Sequence, residues 1–287
     1  MKAAITGASG FIGSRLIKRL ELLNYNITSI GRVELTLPDA KFNELIEGQD
    51  LLINLAGAPI IARHTASYRK EIYSSRINTT RKLVNAIKIA NKPPAQFITQ
   101  SAIGIYSGAS INTETSYEYG NDFMAQVCND WEQVAKEAEP YTKVAIMRTS
   151  IVLDTTEGAL PAMMLPFKMG VGGKIGTGNQ MFSWIHIEDY LNAIIFMIEK
   201  VKTGVYNLAS PGYLRNVDFT KILADKLNRP ALFTVPEFAL RLIYGDGAKS
   251  LTSGQAVYPQ KLLEEGFVFK FPTIENALTD LLVTRAH

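Results

Sequence analysis

One cysteine, Cys128, is all that 287 residues contain, so neither an internal disulfide nor a thiolate cage for a metal can form, and a reducing, cytoplasmic setting is expected. Histidine is nearly as scarce, and His64, His186 and His287 offer no zinc spacing. Strong charge of one sign is also missing. The 30 basic and 27 acidic side chains leave a formal +3, too little to point to nucleic acid, so small molecules are the expected partners. No apolar run approaches the roughly 20 residues of a membrane-spanning helix. The most apolar stretch, around Ala193 to Ile198, is closed by Glu199 and Lys200, and no membrane partner is expected. The chain opens on what reads as a buried strand with no charged leader, which predicts no secretory signal. Neither the Gly-Lys-Ser/Thr of a Walker loop nor a Gly-x-Ser-x-Gly nucleophile elbow is present.

What is present is an alternation of short β-branched runs with longer helical periodicity, the rhythm of an α/β protein with a Rossmann-type doubly wound parallel sheet. Ala3 to Thr6, Ile27 to Ile30, Leu51 to Leu55, Gln96 to Gln100 and Lys143 to Arg148 predict five strands, apolar on both faces. Phe11 to Leu23, Phe42 to Glu47, Ala66 to Ala90 and Asp122 to Glu137 predict the crossover helices, the third stopped by Pro93 and Pro94. The alternation loosens after Leu153, which suggests a core over 1–155 and a smaller C-terminal substrate lobe over 156–287. The glycines from Gly170 to Gly178 read as a substrate lid or a plain surface loop. A strand at Val205 to Leu208, a helix from Val217 to Leu227 capped by Asn216, and an amphipathic stretch from Phe238 to Ile243 follow.

The first strand runs into Gly7-Ala8-Ser9-Gly10-Phe11-Ile12-Gly13 and then a helix. One glycine allows the tight turn, another lets the backbone approach a pyrophosphate, and the last permits close helix–strand packing, while the helix N-terminus offers unpaired N–H groups to the phosphates. A nicotinamide dinucleotide is therefore expected. At the end of the second strand Gly31-Arg32 stands where an acidic residue would hold the ribose of NAD, and the Arg32 guanidinium suits the 2′-phosphate of NADP. NADP(H) is preferred, with NAD(H) the alternative should Arg32 be merely solvated. Leu55, Ala56 and Gly57 end the third strand with backbone open to the adenosine side, Gly57 being a better contact than Asn54.

Together GASGFIG, NLAGAPI, SSRINTTRKLV, QSAIGIY, FMAQVCNDWE, MRTSIVL and QMFSWIHIEDY closely resemble atypical short-chain dehydrogenase/reductase proteins of the sugar-nucleotide-epimerase-like group. The segment GQAVYPQKLLEEGFVFKFPTIENAL, in a terminal region of about 236–284, is similar to the C-terminal domain found with that group. The resemblance implies an extended Rossmann fold, a nicotinamide cofactor and a substrate pocket beneath the C-terminal part. It also implies that Glu71, Arg76 and Arg148 lie near NADP(H). Read from the residues alone, each arginine is a phosphate ligand or an ordinary ion pair.

The Tyr-x-x-x-Lys pair of ordinary short-chain dehydrogenases is absent, since none of the 12 tyrosines has lysine four residues on. The resemblance puts Met124 and Cys128 in those places; Cys128 is a lowered-pKa thiol or an inert buried one. Ser101 and Tyr106, after the fourth strand, are the candidate catalytic pair, the alternative for Tyr106 being a packed ring with a satisfied hydroxyl. His186 is a further proton-transfer candidate or a structural histidine. The expected activity is an atypical NADP-dependent oxidoreductase or epimerase-like reaction on a polar, nucleotide-sugar-like substrate; the alternative is a catalytically silent NADP(H)-binding regulator.

Overall fold

In the computed structural model, which describes residues 1–108 and 110–284, the chain begins with β1 (Lys2–Thr6), α1 (Phe11–Leu22), β2 (Asn26–Ile30) and α2 (Asp39–Ile46). It continues with β3 (Leu51–Asn54), α3 (Ala66–Ile89), β4 (Gln96–Ala102), α4 (Phe123–Lys136) and β5 (Lys143–Thr149). Then come α5 (Ala159–Lys168), α6 (Ile187–Glu199), β6 (Gly204–Leu208), α7 (Asn216–Lys226) and α8 (Glu237–Tyr244). The main sheet has six parallel strands in the order β6-β5-β4-β3-β1-β2.

Both faces of this sheet are dry, and side-chain alternation decides what each strand residue meets. Ala3, Ile5, Ile53, Ile98 and Met147 pack with Leu16 and Leu20 of α1 and with Ile194 and Met197 of α6. Their neighbours Ala4, Leu52, Phe97, Val144 and Ile146 pack on the opposite side with Phe42, Leu83, Val84 and Trp131. Strands buried twice over read as continuous apolar runs, as β1, β3, β4 and β5 do, whereas β2 at the edge of the sheet buries only Ile30.

The expected five strands become six. β6 joins the edge of the sheet against β5, and α6 packs into the same core as α1, so residues 187–208 return to the sheet across the division expected after residue 155. The lobe proper is a separate apolar cluster in which Leu160, Phe182, Trp184, Phe219 and Ile274 meet. Two further readings are corrected there. Asn216 is the first residue of α7 and accepts from the Ile175 N–H at 2.9 Å instead of capping the helix, whose N-cap is Arg215. The glycine stretch is part strand, because Gly173–Ile175 pairs in parallel with Phe233–Val235. No helix among the described residues is long and apolar enough to cross a membrane. His287 lies outside the described residues, and the described ones contain no metal-binding group of three His, Cys, Asp or Glu.

Candidate functional site

The sheet reverses its direction of winding between β1 and β3, and the crevice at such a switch point, at the carboxyl ends of the strands, is where open α/β sheets bind ligands. Register brings the strand ends level: Thr6 lies opposite both Ile30 and Asn54, and Asn54 opposite Thr99. Thr6 donates to Asn54 Oδ1 at 2.6 Å and accepts from the N–H groups of Leu55 and Ala56, while Asn54 Nδ2 reaches Thr80 and Thr99. Asn54 is therefore the buried pin of the crevice and not a ligand contact.

Around this pin the glycine loop is tightly constrained. Gly7 has φ +69°, and a Cβ there would stand 2.8 Å from the Leu55 carbonyl oxygen. At Gly13 a Cβ would run into the Gly7 carbonyl oxygen and come within 2.9 Å of Ala8 Cα. Gly10 differs: its backbone is extended, its nearest neighbour would be 3.2 Å away, and it is exposed. It is the N-cap of α1, and no side chain caps that helix. The N–H groups of a bare helix end, with no acidic residue in the first turn, form a cradle for an anion. A pyrophosphate fits this chemistry, with Ser9 exposed at its rim and Phe11 and Ile12 facing the cavity beyond.

That cavity, of about 520 Å³, runs from Phe11 and Ile12 over the ends of β4 and β5 to the lobe. Ile103, Phe123, Met124, Met163 and Phe182 make its walls mainly apolar. Met124 thus stands on the cavity wall and cannot move a proton. Cys128, one helical turn further on, is fully buried, and burial together with the nearby Glu132 charge pushes its thiol up to about 12. It is the inert alternative.

Several expected site residues lie elsewhere. In β4, Gln100 and Ala102 face the cavity and the intervening Ser101 faces the opposite side, where it donates to Glu132 Oε1 at 2.8 Å. Tyr106 is buried, donates to Asn207 Oδ1 at 2.6 Å, and burial pushes its hydroxyl up to about 12 despite the Arg148 charge beside it. Arg148 is likewise buried: Nε and one terminal nitrogen grip both oxygens of Glu132 at 2.8 and 2.7 Å, and the other donates to Tyr106 at 2.8 Å. Burial opposes its charge, yet the Glu132 hydrogen bonds and charge prevail and raise its pKa above the usual arginine value. Ser101, Tyr106 and Arg148 therefore form one internal cluster behind the cavity floor, not a catalytic pair and a phosphate ligand.

Arg76 is also committed to the protein. Its guanidinium donates to the carbonyls of Ala58 at 2.9 Å and Ile72 at 3.1 Å, and a Cβ on Gly57 would stand 3.1 Å from its Cζ. These bonds tie the helix α3 to the loop after β3, and burial lowers the pKa of the guanidinium. Glu71 is exposed on α3 outside the cavity wall. His186 is fully buried, its Nδ1 accepting from the Glu188 N–H and its Nε2 lying 3.3 Å from Asp280, which makes it structural. Gly31 and Arg32 are exposed at the end of β2, where the Gly31 N–H donates to Glu34 at 2.8 Å. His64 is a cavity residue that sequence reasoning passed over. Its Nε2 lies 2.8 Å from the Ile60 carbonyl, which can only accept, so Nε2 is the donor of this hydrogen bond.

The model of the NAD dependent epimerase/dehydratase family matches residues 3–209, and that of a domain of unknown function, DUF1731, matches residues 235–281. The chloroplastic SDR39U1 homolog of Arabidopsis thaliana, an epimerase family protein, is 34% identical over 98% of this chain and 87% of its own length. An epimerase family protein of Staphylococcus haemolyticus is 35% identical over 97% and 98%. The crystal structure of human epimerase family protein SDR39U1 with NADPH superposes with a TM-score of 0.89 at 29% identity, covering 98% of this chain and 99% of that one. The dTDP-4-dehydrorhamnose reductase of Bacillus anthracis in complex with NADP, at 16% identity and a TM-score of 0.77 over 99% of both chains, shares the fold. A glycine cradle at the switch point, a parallel six-stranded sheet and a family model covering most of the chain agree: this protein belongs to the NAD dependent epimerase/dehydratase family, with a DUF1731 domain at its C-terminal end.

Proposed function

We propose that the chain binds NADP(H) and acts as an atypical oxidoreductase or epimerase-like enzyme. The observation that carries this reading is the uncapped amino end of α1 at Gly10, which opens beside a cavity large enough for a single small-molecule ligand. The Phe11 and Ile12 N–H groups would hold the pyrophosphate, Leu55 to Gly57 would flank the adenosine, and Arg32 would meet the 2′-phosphate. A nicotinamide supplies a hydride donor or acceptor when bound. The mainly apolar walls suit such a transfer, and His64, Asp122 and Asp246 are the titratable side chains on the cavity wall from which a proton acceptor would come. The substrate expected from the sequence, a polar nucleotide-sugar-like molecule, remains part of the proposal.

The test is single-turnover decay of NADPH absorbance on the protein, mixed with a panel of carbonyl compounds and nucleotide sugars, with product identity and stereochemistry analysed in parallel. Matched cofactor oxidation and product, or epimerised product without net oxidation, is expected. Tight NADPH binding with neither outcome across the panel would favour the second reading, a catalytically silent NADP(H)-binding regulator. That reading is supported by Met124 on the cavity wall and by the burial of Ser101 and Tyr106.

Arg32→Ala tests the choice of cofactor. Losing a charge-assisted phosphate contact should weaken NADPH by about tenfold or more and leave NADH nearly unchanged. Equal losses for both, measured by fluorescence titration, would leave Arg32 a solvated side chain and remove the preference for NADP(H).

A further inference from the structure

The outer face of the C-terminal lobe is unlike the rest of the surface. Pairing of Gly173–Ile175 with Phe233–Val235 brings two apolar segments side by side. On one, Met169 is 69% exposed and Val171 about half; on the next, Leu232 is 82% exposed and Phe233 about half. The chain then enters α8, an amphipathic helix of sequence EFALRLIY with Glu237 and Arg241 one turn apart. The apolar side of such a helix is ordinarily buried. Here only Leu240 is, while Phe238 and Leu242, one turn apart on the same side, stand 74% and 76% exposed. The start of α8 lies against the glycine loop of the first segment, because a Cβ on Gly176 would stand 3.0 Å from Glu237 Cγ.

Charge collects in the same place. Residues 159–182 and 229–245 carry Lys168, Lys174, Arg229 and Arg241 against Glu237, an excess of three positive charges that equals the formal +3 of the whole chain. The rest of the sequence is neutral. A second copy of the chain would set this excess against itself, which disfavours self-association through the face. Bulky apolar side chains that protrude singly among lysines and arginines are the pattern of segments that lie in a lipid interface, the apolar groups entering the headgroup–acyl boundary and the cations meeting anionic headgroups.

We propose that this face, centred on α8 and the Leu232–Phe233 segment, is a peripheral docking surface for anionic lipid bilayers. This departs from the absence of a membrane partner expected from the sequence, which rested on the lack of a spanning segment. It is also independent of the catalytic reading, since Phe238, Leu242 and Arg241 lie outside the cavity wall.

The test is co-sedimentation of the full chain with extruded vesicles of phosphatidylcholine mixed with phosphatidylglycerol, compared with vesicles of phosphatidylcholine alone. Binding to the anionic vesicles, released by high salt, is expected. The Phe238→Ser/Leu242→Ser double variant should bind at least about tenfold more weakly, and Arg241→Gln about fivefold more weakly for one lost charge. NADPH binding and thermal unfolding of both variants should match the parent. Should the double variant not fold, Arg241→Gln and the salt dependence carry the test alone. No binding to anionic vesicles, or binding indifferent to salt and to these substitutions, overturns the proposal. A dimer in light scattering that the double variant dissociates, with no vesicle binding, assigns the face to a second copy instead.

Discussion

Gly10→Ala is expected to leave the protein folded and to weaken NADPH binding by about a hundredfold or more, whereas Gly13→Ala is expected not to yield a folded protein. The contrast follows from what a single methyl group meets. At Gly10 the backbone is in a region open to any residue, and a Cβ would approach only the Gly7 carbonyl oxygen, at 3.2 Å, a contact that a small loop adjustment relieves. The space it would fill is the mouth of the cradle over the free N–H groups of α1. Displacing a phosphate from them costs charge-assisted hydrogen bonds of about 1.5–3 kcal/mol each. At Gly13 the same methyl collides with backbone that is itself held by the Gly7 turn and the end of β3, so overpacking of about 3 kcal/mol or more has no flexible side chain to absorb it. Circular dichroism and isothermal titration separate the two outcomes. A folded Gly10→Ala that binds NADPH as tightly as the parent would remove the cradle from the cofactor assignment, and the proposed function with it.

The glycine loop was legible because its constraint is local: a strand, a tight turn and a helix in immediate succession leave one geometry. The sixth strand was visible as a strand but not as a member of the sheet, because only long-range pairing of Gly204–Leu208 with β5 places it there. The reading of Ser101 failed for a different reason. Successive residues of a strand point to opposite faces, so the site after β4 is decided by parity. Gln100 and Ala102 fall on the cavity side, and the serine between them falls behind it. One signal for this was present in the sequence. Glu132 lies one helical turn beyond Cys128 in a stretch that includes Val127, Trp131, Val134 and Ala135, all buried on α4. A carboxylate on such a face requires a cation, and Arg148 on a neighbouring apolar strand is the available one. His64 could not have been singled out, because its cavity position depends on the loop after β3 meeting the end of α8, where the His64 N–H donates to the Tyr244 carbonyl.

The Glu132–Arg148 pair also carries the largest expected effect on stability. Both side chains are only 2% exposed, and Ser101, Tyr106 and Asn207 complete the hydrogen bonds of the cluster across β4, β5 and β6. Arg148→Met removes the cation and leaves an unpaired carboxylate in a dry site, which should cost about 3–5 kcal/mol, much of it the desolvation penalty of the orphaned charge. For a chain of this size that lowers the melting temperature by roughly 10 °C. Glu132→Gln should be damaging for the mirror-image reason. Glu132→Gln/Arg148→Met, which removes both charges, should recover much of the loss, because a buried pair contributes little net stability over neutral groups of similar volume. The coupling energy from chemical denaturation of the four proteins in the double-mutant cycle measures this directly. Additive losses would mean that the pair is solvated and weak. NADPH affinity of the folded Arg148→Met protein answers the separate question raised by the family resemblance: an unchanged value is expected from a buried guanidinium whose Nε and both terminal nitrogens already donate to Glu132 or Tyr106, and a loss of tenfold or so, the size of one charge-assisted contact, would return Arg148 to the cofactor site.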